Sequence, residues 1–376
     1  MVEMSQVIRQ IDVTVYRAPI ETPVMTSFGN MTDRPAVIVR LQDQDGAEGW
    51  GEVWCNYPTC GAEHRAKLIE TVFEPLLIGY SFEAPPELFD YLTERSHVLA
   101  IQTAEVGPIA QCIAGLDIAA WDLTARKSGS PLHRLLGSEG SSVSVYASGV
   151  NPTGAPETVE RARRDGYRAF KVKIGFGHDE DLAVLAEVSS GLIDDERLMA
   201  DANQAWTIEQ AREFVNRTGD IPLSWLEEPL RADRPDEEWR TLAEQTKIPI
   251  AAGENIRGQR DFVHKINSGY LGVVQPDICK WGGISANLPI VRGILAAGVR
   301  YCPHYLGGGI GLVASAHLLA AVGGDGSLEV DYSTNPLREG LADPWPAVRD
   351  GTITLTGEAG LGVKPDLDRL REFAVA

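Results

Sequence analysis

The chain has 376 residues, with 34 Lys and Arg against 53 Asp and Glu, a formal net charge of −19; 44% of it is hydrophobic and 23% charged. That length predicts two or three domains, or one large α/β barrel with an addition. The deficit of positive charge excludes a nucleic-acid footprint and an anchor on an anionic membrane, and no apolar run reaches the ~18–20 residues of a membrane-spanning helix.

The first elements read as strands. VIRQIDVTVYRAPI (7–20) and AVIVRLQDQDGAEGWGEVW (36–54) alternate as a meander does, with a turn signal at Asp45-Gly46. Helical spacing follows at Ile109, Ile113, Leu116, Ala120 and Leu123, closed by Gly129 and Pro131. Residues 1–130 therefore read as an α+β domain. From Val143 the texture changes to short apolar runs alternating with amphipathic stretches: VSVYAS, FKVKI, RLMAD, LSWLEE, IPIAAGE, LGVVQPD, VRYCPH and SLEVD. Eight βα units predict a (β/α)8 barrel over 131–345 in preference to an open doubly wound sheet. The tail, 346–376, carries a strand-like GTITL and is expected to return to the first domain. Five cysteines at irregular spacing (Cys55, Cys60, Cys112, Cys279, Cys302), with no CxxC, read as reduced thiols. The N-terminus is interrupted by charge too early for a signal peptide, so a cytoplasmic enzyme is expected.

Charged residues at the ends of buried strands carry the functional information. Lys171 and Lys173, Asp201, Glu227, Glu254, Asp277, His304 and Glu329 close successive units, at intervals from Lys173 onward of 28, 26, 27, 23, 27 and 25 residues. That register predicts one rim, the C-terminal face on which barrel enzymes keep their chemistry. Asp201, Glu227 and Glu254 place three anions in one volume, which demands a cation. All-oxygen donors suit Mg2+, with Mn2+ as the alternative, and the absence of Cys or paired His excludes zinc. Glu228 adjoins Glu227; alternation turns one of the two away from the barrel centre, and Glu227 is taken as the ligand.

Lys171 and Lys173 lie two apart on a strand and share a direction. Each ammonium should depress the other's pKa, giving an amine able to act as a base near neutrality. Opposite them, Asp277 beside His304 would fix the imidazole tautomer and raise its basicity. Glu329, if kept protonated, would donate to a substrate oxygen. His317, inside ASAHLLAAV, reads as a core histidine, and His178 as a solvated loop residue. The set suits removal of the α-proton of a metal-clamped carboxylate by a base on either face.

These motifs resemble the enolase superfamily, and within it the mandelate racemase/muconate lactonizing enzyme family. GWGE (49–52), AGLDIAAWDLTARKSGSPLHRLLG (114–137), KVKIG, DANQAW, WLEEP, AGEN, QPDICKWGG, CPH and GLG occur in the family's order over nearly the whole chain. The resemblance implies a modified (β/α)8 barrel under an N-terminal α+β capping domain. It implies Mg2+ on Asp201, Glu227 and Glu254, a base at Lys173 aided by Lys171, a His304–Asp277 dyad on the other face, and an acid at Glu329. It also implies a homo-oligomer. The muconate-lactonizing branch carries a lysine where Asp277 stands; Lys280, three residues on and past the strand end, does not replace it.

Specificity would come from TSFGNMTDRP (26–35) and WCNYPTCGAEHR (54–65), with Asn30, Asp33, Arg34, Asn56 and Tyr57 as polar and aromatic contacts suited to a hydroxylated acid. KVKIGFGHDEDL and DYSTNPLRE are most similar to sugar-acid members such as galactarolactone cycloisomerases. Several sugar-acid dehydratases place His after the Asn of the third barrel strand; here Gln204 follows Asn203. Racemisation, lactone cycloisomerisation and dehydration share the first step and stay open. The competing readings are a catalytically inactive metal-binding barrel and an unrelated metal-dependent barrel lyase.

Overall fold

The computed structural model describes residues 5–26, 29–138 and 140–375. The capping domain is built on four strands, β1 (Gln6–Thr26), β2 (Gly29–Asp43), β3 (Glu48–Val53) and β4 (Ser81–Phe82), in the order β3-β2-β1-β4. The Asp45-Gly46 turn joins β2 to β3, with Gly46 at φ +82°. Segment 26–35, the first specificity candidate, forms the end of the β1–β2 hairpin, with Thr26 abreast of Gly29 and Pro19 abreast of Asp33; Ser27 and Phe28 lie outside the described residues. Helices Pro85–Thr103 and Val106–Lys127 cover one face of the sheet. The second fits tightly because Gly49, Gly51 and Gly115 leave room for its backbone: a Cβ on Gly51 would lie 1.9 Å from the Gly115 carbonyl oxygen.

The barrel follows as eight parallel strands: β5 (Ser142–Val150), β6 (Ala169–Lys173), β7 (Arg197–Asp201), β8 (Leu223–Glu227), β9 (Ile250–Ala252), β10 (Val273–Val274), β11 (Arg300–Tyr301) and β12 (Leu328–Asp331). They run β11-β10-β9-β8-β7-β6-β5-β12, and the sheet curls until Glu329 N donates to the Pro303 carbonyl at 3.4 Å across its two ends. The architecture is a modified (β/α)8 barrel with an α+β cap. Its interior layer is Tyr146, Ala169, Met199, Trp225, Ala251, Val273 and Cys302. Two residues further along the chain come Ser148, Lys171, Asp201, Glu227, Gly253, Gln275 and His304. The two-residue period of a strand thus converts an apolar plug into a polar floor at the barrel mouth.

Buried carboxylates of the cap are satisfied by the barrel (Glu52, Asp117) and by the cap and tail (Asp122). Glu52 accepts from Gly308 N and Gly311 N; Asp117 accepts from Ile284 N, Ser285 N and Ser285 Oγ at the start of helix Gly283–Ala296; Asp122 accepts from Trp50 N and Leu361 N. The main core cluster likewise runs from Tyr16, Ala36 and Trp50 of the cap into the barrel. In the tail, β13 (Thr352–Thr354) pairs antiparallel with β5, so this strand joins the barrel, while Val375 N donates to Val15 O on the cap sheet.

His317 is fully buried beside His133. Its Nε2 faces the Leu361 carbonyl and therefore carries the proton, so Nδ1 accepts from His133 N at 3.0 Å. Burial first, and His133 as well, push His317 down to about 3, against the partial support of the Leu361 carbonyl. The unfolded chain takes up a proton near 6.5 that the folded chain refuses, so stability is full above about pH 6.5 and falls as pH drops toward 3. Replacing His317 by Asn is expected to lower stability at pH 7 and to flatten its loss between pH 6.5 and 4.5, read from urea midpoints. An unchanged slope would refute the assignment.

Candidate active site

The expected residues do converge at the C-terminal ends of the strands, but on steps. Lys173, Asp201 and Glu227 are lateral neighbours on β6, β7 and β8. Glu227 lies abreast of Ala251, so Glu254 stands three residues beyond that level. Gly253 permits the close passage of the chain at this point. A Cβ there would lie 2.4 Å from the Gln275 backbone nitrogen, and Glu254 follows in the turn after β9. Asp277 and His304 likewise follow the ends of the very short β10 and β11.

Each of the three carboxylates faces an ammonium. Lys173 Nζ donates to Asp201 Oδ2 at 2.6 Å, Lys171 Nζ to Glu227 Oε1 at 2.6 Å, and Lys280 Nζ to Glu254 Oε2 at 2.9 Å. Asp201 also accepts from Asn203 N, and Glu227 from Gln275 Nε2 at 2.7 Å and Trp225 Nε1 at 3.0 Å. Lys171 is completely buried; it also pairs with Glu329 Oε1 at 2.7 Å and lies over the Tyr146 ring. His304 Nδ1 is 2.9 Å from Asp277 Oδ2, and Nε2 is 3.2 Å from Glu254 Oε2. Both neighbours are acceptors, so the ring carries both protons. Asp277 Oδ1 is held by Cys279 N and Lys280 N.

Two expectations about protonation are corrected. The lysines are not lowered toward neutrality. Burial pulls Lys171 down, but Glu227 and Glu329 outweigh it and hold it well above its ordinary value. For Lys173, burial and the neighbouring Lys171 both lower the pKa, and Asp201 more than restores it. Glu329 is not kept as the acid: although burial pushes it up, Lys171 and His304 bring it down to about 2, and its oxygens are engaged by Ser148 Oγ, Lys171 and Tyr305 N. His304 is pushed up to about 9; burial opposes the proton, and Glu254, Glu329 and Asp277 prevail. Among the carboxylates, burial raises Glu227 to about 7, whereas His304 and Lys280 overcome burial to hold Glu254 far below the ordinary range.

Residues not expected from the sequence complete the site. Glu228 is buried at φ +39°, bonded through both oxygens to Asn255 Nδ2, and raised by burial and by Glu254. Strand alternation was therefore a poor guide to Glu228: it follows the last strand residue, where the chain turns. Asn255 and Lys280 sit in turns, which periodicity does not read. His178 is also corrected: it begins a helix and packs edge-on against Trp206, with ring centroids 5.3 Å apart.

The specificity candidates divide. Arg34 is buried in an ion pair with Asp331 of β12, Asp33 pairs with Arg17 at 2.9 Å, and Asn56 Nδ2 donates to Leu306 O at 2.6 Å. Arg34 and Asn56 therefore fasten the cap to the rim. Asn30 is exposed, and Tyr57 is half-buried.

Among the described residues no three His, Cys, Asp or Glu stand as a ready cage for a metal ion. The donor chemistry nevertheless fits one. Asp201 and Glu227 are nearly fully buried, the set offers only oxygen, and positive charge is already required at every carboxylate.

Comparison with known proteins identifies the family and the fold. Residues 10–137 match the model of the mandelate racemase/muconate lactonizing enzyme N-terminal domain, and residues 155–369 that of the enolase C-terminal domain-like family. The chain is 31% identical to D-galactarolactone cycloisomerase of Agrobacterium fabrum, over 94% of this chain and 95% of that one. A solved mandelate racemase/muconate lactonizing enzyme from Bordetella bronchiseptica RB50 is 50% identical, with a TM-score of 0.93, covering 98% of this chain and 99% of that one. An enolase from Bradyrhizobium, solved with magnesium and mandelic acid, is 26% identical with a TM-score of 0.87 over the full length of both.

Proposed function

The chain belongs to the mandelate racemase/muconate lactonizing enzyme family of the enolase superfamily, and we propose that it abstracts the α-proton of a hydroxylated, sugar-acid-like carboxylate to give an enediolate. The observation that carries this reading is that Lys173 of β6 meets Asp201 while the His304–Asp277 pair, beyond the non-neighbouring strands β11 and β10, meets Glu254. A structural ion-pair network would not need a His–Asp dyad set against the same carboxylate cluster.

Asp201, Glu227 and Glu254 would hold Mg2+, with Mn2+ able to replace it. When bound, the ion supplies the positive charge that stabilises the enediolate and relieves the carboxylates' hold on the bases. Lys171 presents fixed charge to the substrate carboxylate. Lys173 and His304 accept or return a proton on opposite faces of the α-carbon, and Asp277 keeps the His304 Nε2 side directed at the substrate. Glu329, ionised beside Lys171, positions that lysine and can take up a proton only after the pair is loosened. The relation to a lactone cycloisomerase supports a sugar acid or its lactone as substrate.

A library of sugar acids and sugar lactones incubated in D2O and followed by proton NMR tests the reading. Loss of an α-proton signal is expected for at least one compound. Retained starting material would mark racemisation, a shifted lactone pattern cycloisomerisation, and ketone or olefinic signals elimination. No exchange into any member would leave an inactive barrel as the better account.

No helix of the described residues is long and apolar enough to cross a membrane. We assign a homo-oligomer, supported by the exposed Val98, Ile101 and Val106 on the cap, which are 66%, 60% and 53% accessible. Light scattering at micromolar concentration is expected to give at least a dimer mass; a monomer mass refutes it.

A further inference from the structure

Lys280 lies in the turn between β10 and helix Gly283–Ala296, yet its side chain folds back over the rim. Its Nζ donates to Glu254 Oε2 at 2.9 Å and to Asn255 Oδ1 at 3.0 Å, and stands 4.8 Å from the centre of the Trp54 ring. An ammonium has three hydrogens. Two point at oxygens, and the Trp54 ring of the cap covers the group from the other side. The side chain is only 13% exposed. Its main chain is fixed as well: Lys280 N donates to Asp277 Oδ1, and Trp54 N of the cap donates to the Cys279 carbonyl at 3.4 Å. The Asn255 amide in turn donates to both oxygens of Glu228.

The other two ammonium groups at the carboxylates, Lys171 and Lys173, belong to the proposed proton-transfer machinery. Lys280 does not. It is a fixed charge against one carboxylate of the proposed ion site, in a place where solvent screening is weak. We propose that Lys280 is a positioning residue acting through Glu254: a built-in cation that competes with the divalent ion for this carboxylate and so sets how tightly the protein holds its metal. The inference rests on the assignment of Glu254 as a metal ligand. Its physical basis is Coulombic. A positive charge hydrogen-bonded to a ligand oxygen must be displaced, or must stay and repel, when a second cation arrives at that oxygen.

The test uses chelator-stripped, substrate-free protein titrated with Mn2+, with free ion read by electron paramagnetic resonance. Lys280→Met keeps the stem against Trp54 and removes the charge; its Mn2+ dissociation constant is expected to fall at least about tenfold. Lys280→Gln should tighten binding in the same direction. Lys280→Arg keeps the charge and should stay within about threefold of the wild type. Circular dichroism establishes that each variant is folded. Unchanged or weakened binding by folded Lys280→Met or Lys280→Gln overturns the inference, and so does a raised KM with unaltered metal affinity, which would make Lys280 a substrate group. Should neither variant fold, the wild type decides. With lysine labelled by 13C at Cε, the Lys280 resonance must shift on addition of Mg2+, and a stationary resonance overturns the proposal. A wild-type protein that binds no Mn2+ removes the metal assignment along with this inference, whereas normal wild-type binding with an unresponsive Lys280→Met removes this inference alone.

Discussion

Glu254→Gln, or exhaustive chelation of the wild-type protein, is expected to abolish turnover while the fold persists. The barrel core is an apolar plug running through Tyr146, Met199, Trp225 and Val273, and it lies below the carboxylates. Nothing in it depends on an ion. The carboxylates themselves are compensated by Lys171, Lys173 and Lys280, so emptying the site leaves no naked buried charge. The reaction is another matter. The α-proton of a carboxylate is very weakly acidic, and loss of the charge that stabilises the enediolate should cost at least about 10³-fold in kcat/KM. Glu254→Gln has a second consequence, because Glu254 is the largest of the influences holding the proton on His304. The variant should therefore show a lowered His304 pKa by NMR, independent of any activity assay. Full turnover by a sample verified free of metal would refute the assignment, as would wild-type Mn2+ affinity in Glu254→Gln.

The fold was legible because it is written in periods. Eight apolar runs alternating with amphipathic stretches demand a barrel, and charge at the end of each run marks the mouth. Asp201, Glu227 and His304 each stand two residues beyond a buried interior side chain, Met199, Trp225 and Cys302. For Asp201 and Glu227 that offset is the alternation of a strand, which a sequence displays directly, and His304 keeps the same spacing just past the end of β11. Lys171, two beyond Ala169, obeys the same rule.

What the sequence hid lies past the strand ends. There the backbone leaves its period and direction is set by single residues: Gly253 under the crossing of Gln275, Asn203 at φ +43°, Glu228 at φ +39°. Glu254, Asn255 and Lys280 take their positions from such turns, so spacing could name Glu254 without giving its level, and could not bring Lys280 to it. Protonation was misread for a related reason. Two adjacent lysines do depress each other, as Lys171 does Lys173, but the outcome depends on which carboxylates surround them in three dimensions. The cap contacts were also obscured. Arg34 looks like a substrate-binding group in sequence, and only the fold brings Asp331 beneath it.

The largest separation of roles is expected from the two bases. Lys173→Ala should stop proton transfer on one face of the substrate, and His304→Asn on the other, each by about 10³-fold or more. If the protein racemises its substrate, each variant should still exchange the α-proton of one enantiomer with D2O while failing to interconvert the pair. If it acts on a substrate of one hand, one variant should lose exchange altogether and the other should keep exchange but lose product, because its residue serves as the acid of the second step. The resting protonation favours this division: with the carboxylates uncovered, Lys173 stands above its ordinary value and His304 near 9, so both groups hold protons ready to give. The one that begins as base must first be released from its carboxylate, Asp201 for Lys173 and Glu254 for His304. Asp277→Asn should resemble His304→Asn. The Asp277 carboxylate receives His304 Nδ1 at 2.9 Å, and an amide there can offer a donor and fix the wrong tautomer, a defect worth about 10⁴-fold in a comparable dyad. Wild-type behaviour of Asp277→Asn beside a dead His304→Asn would mean that His304 works alone. Near-normal turnover by both base variants would remove the two-faced mechanism itself.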